Sequence, residues 1–308
     1  MSLSRIWARR RRVVWLPVAA FALVACDDNP ADPGDTQDIV DIVVETANAS
    51  TLEVAVVQAG LVGALQADGP FTVFAPVNSA FEALGADVVG ALLEPANADL
   101  LVDILSYHVV AGVAANSGSL MNGQTVTTLL GQDLTIGVSG STVTVGGATV
   151  TTPDVEATNG VIHLIDEVLV PETDLVDTAV LNGFFTLVDL VRTAGLESTL
   201  RSDNGGAGFT VFAPTEAAFA ALPAVPTGQD LVDVLTYHVV PAEVLSGTLT
   251  DGQVVTTVQG ATFTVNIDGT SGAVSLTDGS GATVNVIATD VSATNGVVHV
   301  IDGVLLPS

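Results

Sequence analysis

Ala157-Thr158-Asn159-Gly160-Val161-Ile162-His163-Leu164-Ile165-Asp166 decides the fold, and the chain carries it twice: it returns as Ala293-Thr294-Asn295-Gly296-Val297-Val298-His299-Val300-Ile301-Asp302. Asn-Gly between apolar runs is a strong short-range hairpin signal and predicts a type I′ turn. The run after it is apolar on both faces, with Val161 and Ile165 on one and Ile162 and Leu164 on the other, so it reads as a fully buried strand. A histidine inside such a strand, His163, is expected to be a hydrogen-bonded core group rather than a ligand. Buried and neutral, it would have to charge in acid, which makes low pH destabilising.

Two further blocks repeat in the same order. Gly69-Pro70-Phe71-Thr72-Val73-Phe74-Ala75-Pro76 returns as Gly208-Phe209-Thr210-Val211-Phe212-Ala213-Pro214. Leu101-Val102-Asp103-Ile104-Leu105-Ser106-Tyr107-His108 returns as Leu231-Val232-Asp233-Val234-Leu235-Thr236-Tyr237-His238. A period of about 135 residues is domain duplication, not a solenoid. Within each copy the helix-like spacing comes first. Leu101, Ile104, Leu105 and His108 fall on one helical face, and Ser79-Ala80-Phe81-Glu82 fits a capping box that would start a helix. Period-two alternation follows after about Thr125, as in Thr142-Val143-Thr144-Val145. Helices segregated from antiparallel strands make an α+β domain. The expected organisation is a signal peptide over 1–25, a tether over 26–37, domain 1 over 38–171 and domain 2 over 174–308. Only Pro171 to Asp174 separates the copies, which predicts a close and relatively fixed pair.

These blocks resemble the fasciclin-like domain family. Phe-Thr-Val-Phe-Ala-Pro followed by a helix with Phe81 or Phe219 is similar to its first signature, Tyr-His to its middle motif, and Asn-Gly-Val-Ile-His-Leu-Ile-Asp to its second. The first signature usually continues Pro-Thr-Asn; here the chain reads Pro76-Val77-Asn78 and Pro214-Thr215-Glu216, which puts the helix cap of copy one in doubt. The resemblance implies a β-sandwich or wedge with helices packed on one side. It also implies roles in cell adhesion and contacts with cell-surface or extracellular matrix proteins or polysaccharides.

The first residues read as an export signal. Arg5 and Arg9 to Arg12 precede an apolar run from Val13 to Val24, of signal-peptide length and too short to span a bilayer. It ends in Leu23-Val24-Ala25-Cys26, similar to a bacterial lipoprotein signal in which Cys26 takes the lipid; the alternative is a plain secretory signal. Cys26 is the only cysteine, so neither an intrachain disulfide nor a cysteine metal site is possible. Asp27 to Gln37 (DDNPADPGDTQ) reads as a flexible tether holding the domains at an extracytoplasmic envelope surface.

The whole chain has 7 basic and 34 acidic residues, net −27. Five of the arginines precede Cys26, so the exported part sets Arg192 and Arg201 against all 34 acids, a formal charge of −32, with no lysine at all. Such a surface repels nucleic acid and anionic headgroups. It is also the surface expected where high salt screens self-repulsion.

Catalytic patterns are thin. Without lysine there is no Walker A loop and no Schiff base, and Gly137-Val138-Ser139-Gly140-Ser141 lacks the last glycine of G-x-S-x-G. The histidines lack metal-ligand spacing, and turns such as Asp268-Gly269-Thr270-Ser271-Gly272 and Asp278-Gly279-Ser280-Gly281 lack the calcium-loop alternation. No enzyme activity, metal or cofactor is expected. Tyr107-His108 and Tyr237-His238 carry two readings. By the resemblance they are a receptor-contact motif; by their place at a helix end they pin that end through backbone hydrogen bonds. The functional expectation is a surface-anchored binding or adhesion module, the alternative a structural envelope lipoprotein without a ligand.

Overall fold

The computed structural model describes residues 37–307, and the leader, Cys26 and nearly all of the tether lie outside them. Domain 1 runs α1 (Ile39–Glu45), α2 (Ser50–Gln58), α3 (Val62–Leu65), β1 (Phe71–Pro76), α4 (Asn78–Leu84), α5 (Ala86–Leu92), α6 (Ala98–Tyr107), then β2 (Val109–Ala111), β3 (Thr125–Thr127), β4 (Asp133–Ser139), β5 (Thr142–Val145), β6 (Ala148–Ala157) and β7 (Gly160–Ile165). Domain 2 repeats this as α7 (Leu175–Leu181), α8 (Phe185–Thr193), α9 (Glu197–Leu200), β8 (Phe209–Pro214), α10 (Glu216–Ala220), α11 (Gln229–Tyr237), β9 (Val239–Val240), β10 (Val254–Thr256), β11 (Thr262–Ile267), β12 (Val274–Thr277), β13 (Thr283–Ala293) and β14 (Gly296–Ile301). The counterpart of α5 is missing: Ala221–Gly228 joins α10 to α11 without a helix.

Each domain is α+β. Seven strands link in the order β2-β1-β7-β6-β5-β4-β3, and the second copy keeps this order. The repeated blocks form its centre, where β1 pairs β7 in parallel from Phe71↔Gly160 to Pro76↔Ile165. Register shifts interrupt β6 between Val150 and Thr152 and between Thr152 and Val155. Bulges bend a strand, so β6 folds the sheet into two limbs, and the apolar side chains between them make a core of Phe74, Leu134, Ile136, Val145 and Ile165. In domain 2 the same space holds Phe212, Tyr237, Phe263, Leu276 and Ile301. The helices cover the other side.

Two local expectations are corrected. Ser79 does not cap a helix: α4 starts at Asn78 with Val77 as N-cap and no capping side chain, whereas Thr215 in domain 2 accepts the N–H of Ala218. The hairpin at Asn159-Gly160 is present, but not as a type I′ turn. Its two loop residues are Thr158 and Asn159, neither with positive φ, and Gly160 already pairs with Ala157 in the ladder. Gly160 is needed for a different reason, because a Cβ there would lie 2.3 Å from the carbonyl oxygen of Phe71 on the parallel neighbour. Asn159 acts as a strut. Its Oδ1 accepts Ile39 N–H at 3.0 Å, and its Nδ2 donates to Leu65 O at 2.7 Å and Ala67 O at 3.1 Å. Asn295 repeats this with Leu175, Leu200 and Ser202.

The helical layers of the two domains merge into one continuous apolar cluster. Helix α5 packs on α7, and Val180 and Val188 face Gly90 and Ala91 across the junction. Arg192 on α8 reaches back to domain 1, donating to Asn97 Oδ1 at 2.6 Å and Ala96 O at 3.1 Å. Gln132 and Glu172 exchange two hydrogen bonds that fasten the linker to domain 1.

Candidate functional site

The Tyr-His pairs sit where α6 and α11 hand over to the sheet. The helical spacing that places Leu101, Ile104 and Leu105 inward also carries His108 inward, and the ring is buried. Its Nε2 accepts the N–H of Leu169 at 2.9 Å, so the proton resides on Nδ1, which donates to Ile104 O at 2.7 Å. His238 does the same with Leu305 N–H and Val234 O. Burial lowers both imidazoles to about 4, against the partial support of the helix carbonyl. Each ring is a neutral strut between a helix end and the segment leaving its domain.

The tyrosines diverge. Tyr237 is wholly buried; its hydroxyl donates to Thr262 O at 2.7 Å and accepts Gly279 N–H at 2.9 Å, and its ring meets Phe263 edge-on. Tyr107 is half-buried with one longer bond, to Asp133 O at 3.3 Å. Burial raises the pKa of both phenols. Of the four residues, Tyr107 alone presents appreciable surface. The pairs of the two domains are separate struts, not one constellation.

A second arrangement recurs in both domains, and the sequence reading did not single it out. Asp154, at φ 59° in the bulged part of β6, accepts the N–H of Ser117 at 2.6 Å and its hydroxyl. The N–H of Asp154 donates to His163 Nδ1 at 3.2 Å, and His163 Nε2–H donates to Ala115 O at 2.8 Å. Ser246, Asp290 and His299 repeat it, with Asp290 at φ 59° and Val244 O as the last acceptor. The signal was available, since both aspartates stand five residues before the Asn-Gly pair. Serine, aspartate and histidine here do not form a nucleophile and base. The serine hydroxyl points to the carboxylate, and both ring nitrogens are occupied by backbone. The hydrogen bonds from Ser117 and Ser246 hold the two carboxylates below their usual range.

The remaining motifs are turn chemistry. Asp268 accepts Thr270 and Ser271 N–H, and Asp278 accepts Ser280, Ala282 and Leu306 N–H. Ser139 ends β4 and the chain turns into β5. Among the described residues no group of three or more His, Cys, Asp or Glu is placed to hold a metal, and no helix is long and apolar enough to cross a membrane. An apolar cavity of about 60 Å³ lies under α1 and α2, and one of about 50 Å³ under α7 and α8.

The geometry therefore defines a duplicated α+β domain whose polar motifs are consumed in holding the two limbs and the helices together. The Fasciclin domain profile matches residues 47–171 and 182–307, and the chain belongs to that family. A Synechocystis sp. relative, Protein sll1483, is 50% identical over 133 residues, 43% of this chain and 73% of that one. Transforming growth factor-beta-induced protein ig-h3 of Sus scrofa is 32% identical over 254 residues, 79% of this chain but only 35% of its own length. Among solved structures, a FAS1 domain pair from the insect cell adhesion molecule Fasciclin I matches with 21% identity and a TM-score of 0.38, covering 84% of this chain and 97% of that one.

Proposed function

We propose that this chain is an exported, lipid-anchored surface protein that serves as a binding or adhesion module through its two fasciclin domains. The observation that carries the reading is the fate of its polar motifs. His108, His163, His238, His299, Tyr237, Asn159 and Asn295 spend their hydrogen bonds inside the fold, so the outer surface rather than a reactive cleft is what the protein offers. Family membership supports contact with cell-surface or matrix proteins or polysaccharides, and Leu23-Val24-Ala25-Cys26 supports the anchor. The two described arginines already contact carboxylates, which favours a neutral or cationic partner over a polyanion.

Pull-down of cell-surface, polysaccharide and envelope fractions by the lipid-free chain, at low and molar NaCl, tests the binding role. Retention of no fraction in either salt would favour a purely structural envelope protein. Membrane partitioning of wild type against Cys26→Ser tests the anchor, and equal soluble fractions would overturn it. Tyr107 and His108, or Tyr237 and His238, replaced by Phe and Leu, test the motif. A folded variant that loses its partner supports a contact role, and loss of folding supports the strut.

A further inference from the structure

Each domain keeps an apolar void at the same place. In domain 1 the cavity of about 60 Å³ lies between the α1–α2 pair and the central strands, and in domain 2 the cavity of about 50 Å³ lies between α7–α8 and theirs. The internal repeat puts the two walls in register, since Thr51-Leu52 matches Thr186-Leu187 and Ala59-Gly60-Leu61 matches Ala194-Gly195-Leu196. Within that register the lining residues have changed size in opposite directions. Val43 becomes the smaller Ala179, and Ala64 becomes the larger Thr199. The space nevertheless persists at nearly the same volume. A void in a core lowers stability in proportion to its volume, and one larger side chain would fill it. A destabilising space kept in both copies through offsetting substitutions points to a use for the space.

The walls decide what can enter. The buried ring of His108 or His238 forms part of each, and both nitrogens of each ring are already bonded to backbone. Among the described residues no buried side-chain nitrogen or oxygen lacks a hydrogen-bond partner. A water molecule needs two to four polar partners, so these voids are dry and suit hydrocarbon. Benzene occupies a cavity of about 150 Å³; spaces of about 50 and 60 Å³ admit the end of a linear chain and not a ring. Leu129 and Val258 are equivalent in the repeat and line the voids, yet they are 51% and 41% exposed. Each void therefore opens to solvent past an aliphatic side chain. Glu53, partly exposed, also lines the void of domain 1, and the chain after Cys26 is strongly acidic, which disfavours a ligand with an anionic head.

From this we infer that each domain binds one uncharged linear-chain lipid, such as a long-chain alcohol, taken up as a free molecule. The chain end fills the void between helices and sheet, and the head lies at the surface by Leu129 or Val258. Two sites per chain follow from the duplication. This ligand enters the interior, so its binding is independent of the outer-surface contacts proposed above and of any anchor.

The test uses the full chain with Cys26→Ser throughout, labelled at its valine and leucine methyl groups, with 1-octanol as the probe. Intermolecular nuclear Overhauser effects should appear from octanol to Val73 in domain 1 and to Val211 in domain 2, both of which line the voids. Octanoate at the same concentration and neutral pH should give neither. Ala179→Leu fills the void of domain 2 and should abolish the contacts to Val211 while leaving those to Val73. Val43→Leu should do the reverse. Should either variant lose its circular dichroism spectrum, Val191→Leu or Val56→Leu takes its place. Absence of contacts in the unfilled chain overturns the inference, and so do contacts that survive filling or that octanoate or benzene makes equally well. Phosphatidylcholine vesicles should not retain the chain. Retention that the filled variants abolish would make a bilayer the source of the hydrocarbon and overturn uptake of a free molecule.

Discussion

Nε2 of His108 accepts the backbone N–H of Leu169 at 2.9 Å, joining the end of α6 to the segment by which the chain leaves domain 1. His238 makes the same bond to Leu305 in domain 2. Both bonds exist only while Nε2 is unprotonated, which couples the packing of each domain to pH.

Acid should therefore destabilise the protein as His108 and His238 become protonated. Burial holds both histidines near 4, from an ordinary 6.5. Their stabilisation is complete above the unfolded value and is lost as pH falls to the folded one, because the unfolded chain binds more protons in that window. The loss is on the order of 3 kcal/mol per domain. Asp154 and Asp290, lowered from 3.8, act in a window below this one. Urea midpoints should fall between neutral pH and about pH 4, and His108→Gln with His238→Gln should flatten that decline while lowering stability at neutral pH. A wild-type midpoint constant across the window would refute the coupling.

Gly160 and Gly296 should tolerate no side chain. Added Cβ atoms would meet Phe71 O at 2.3 Å and Phe209 O at 2.0 Å, in the parallel ladder at the centre of each sheet. Relief requires the ladder to part, so Gly160→Ala should cost about 3 kcal/mol or more. Gly90, inside α5 with open space around its Cβ position, is the control, and Gly90→Ala should gain up to about 1 kcal/mol from helix propensity. Equal melting temperatures for the two variants would show that the close approach is not what selects glycine at 160.

The same glycines show what the sequence could disclose. The repeat, the α+β order and the buried strand were legible because they follow from periodicity and self-similarity, which need no knowledge of distant neighbours. The role of Gly160 was not, since the constraint comes from Phe71, far away in the chain, and local turn chemistry offered a nearer explanation. Ser79 misled for a related reason: a capping-box pattern was present, but Pro76 ends β1 and the helix begins at Asn78. The bonds among His163, Asp154 and Ser117 were legible only as the repeated spacing of an aspartate five residues before Asn-Gly, because their geometry depends on two register shifts in β6. His108 was placed inward by its spacing, but its partner Leu169 lies beyond any local pattern.

Arg192 should set the angle between the domains. It donates across the junction to Ala96 O and Asn97 Oδ1, and Asn97 is buried. Arg192→Ala leaves that carbonyl oxygen without its charged donor, a loss of about 1–3 kcal/mol. Arg192→Lys should recover part of it, since both bonds come from the single Nη2 and an ammonium has donors for two acceptors but sits on a shorter reach. Small-angle scattering should show a broader distribution of interdomain distances in the alanine variant than in wild type. Unchanged scattering with a lowered melting temperature would assign Arg192 to stability alone.

Stability should rise with sodium chloride. The chain carries 34 acidic residues, and the two arginines in the described part are already committed, Arg201 to Asp174, Asp177 and Glu197, and Arg192 to Glu197. Repulsion among the other carboxylates therefore lacks local compensation. Screening shortens its range from about 30 Å at 0.01 M salt to about 3 Å at 1 M. The same screening weakens the Arg201 cluster, but that is one partly covered site against a whole surface, so the repulsive term wins. Most of the gain should come below about 0.3 M, where the screening length changes fastest, whereas a Hofmeister effect would keep growing at higher salt. Arg201→Gln sharpens the test. It strands Asp177, whose pKa burial already raises, beside Asp174 and Glu197, so the variant should lose more stability in low salt than in high. A melting temperature independent of sodium chloride in wild type would refute the proposition that this surface is built to be screened.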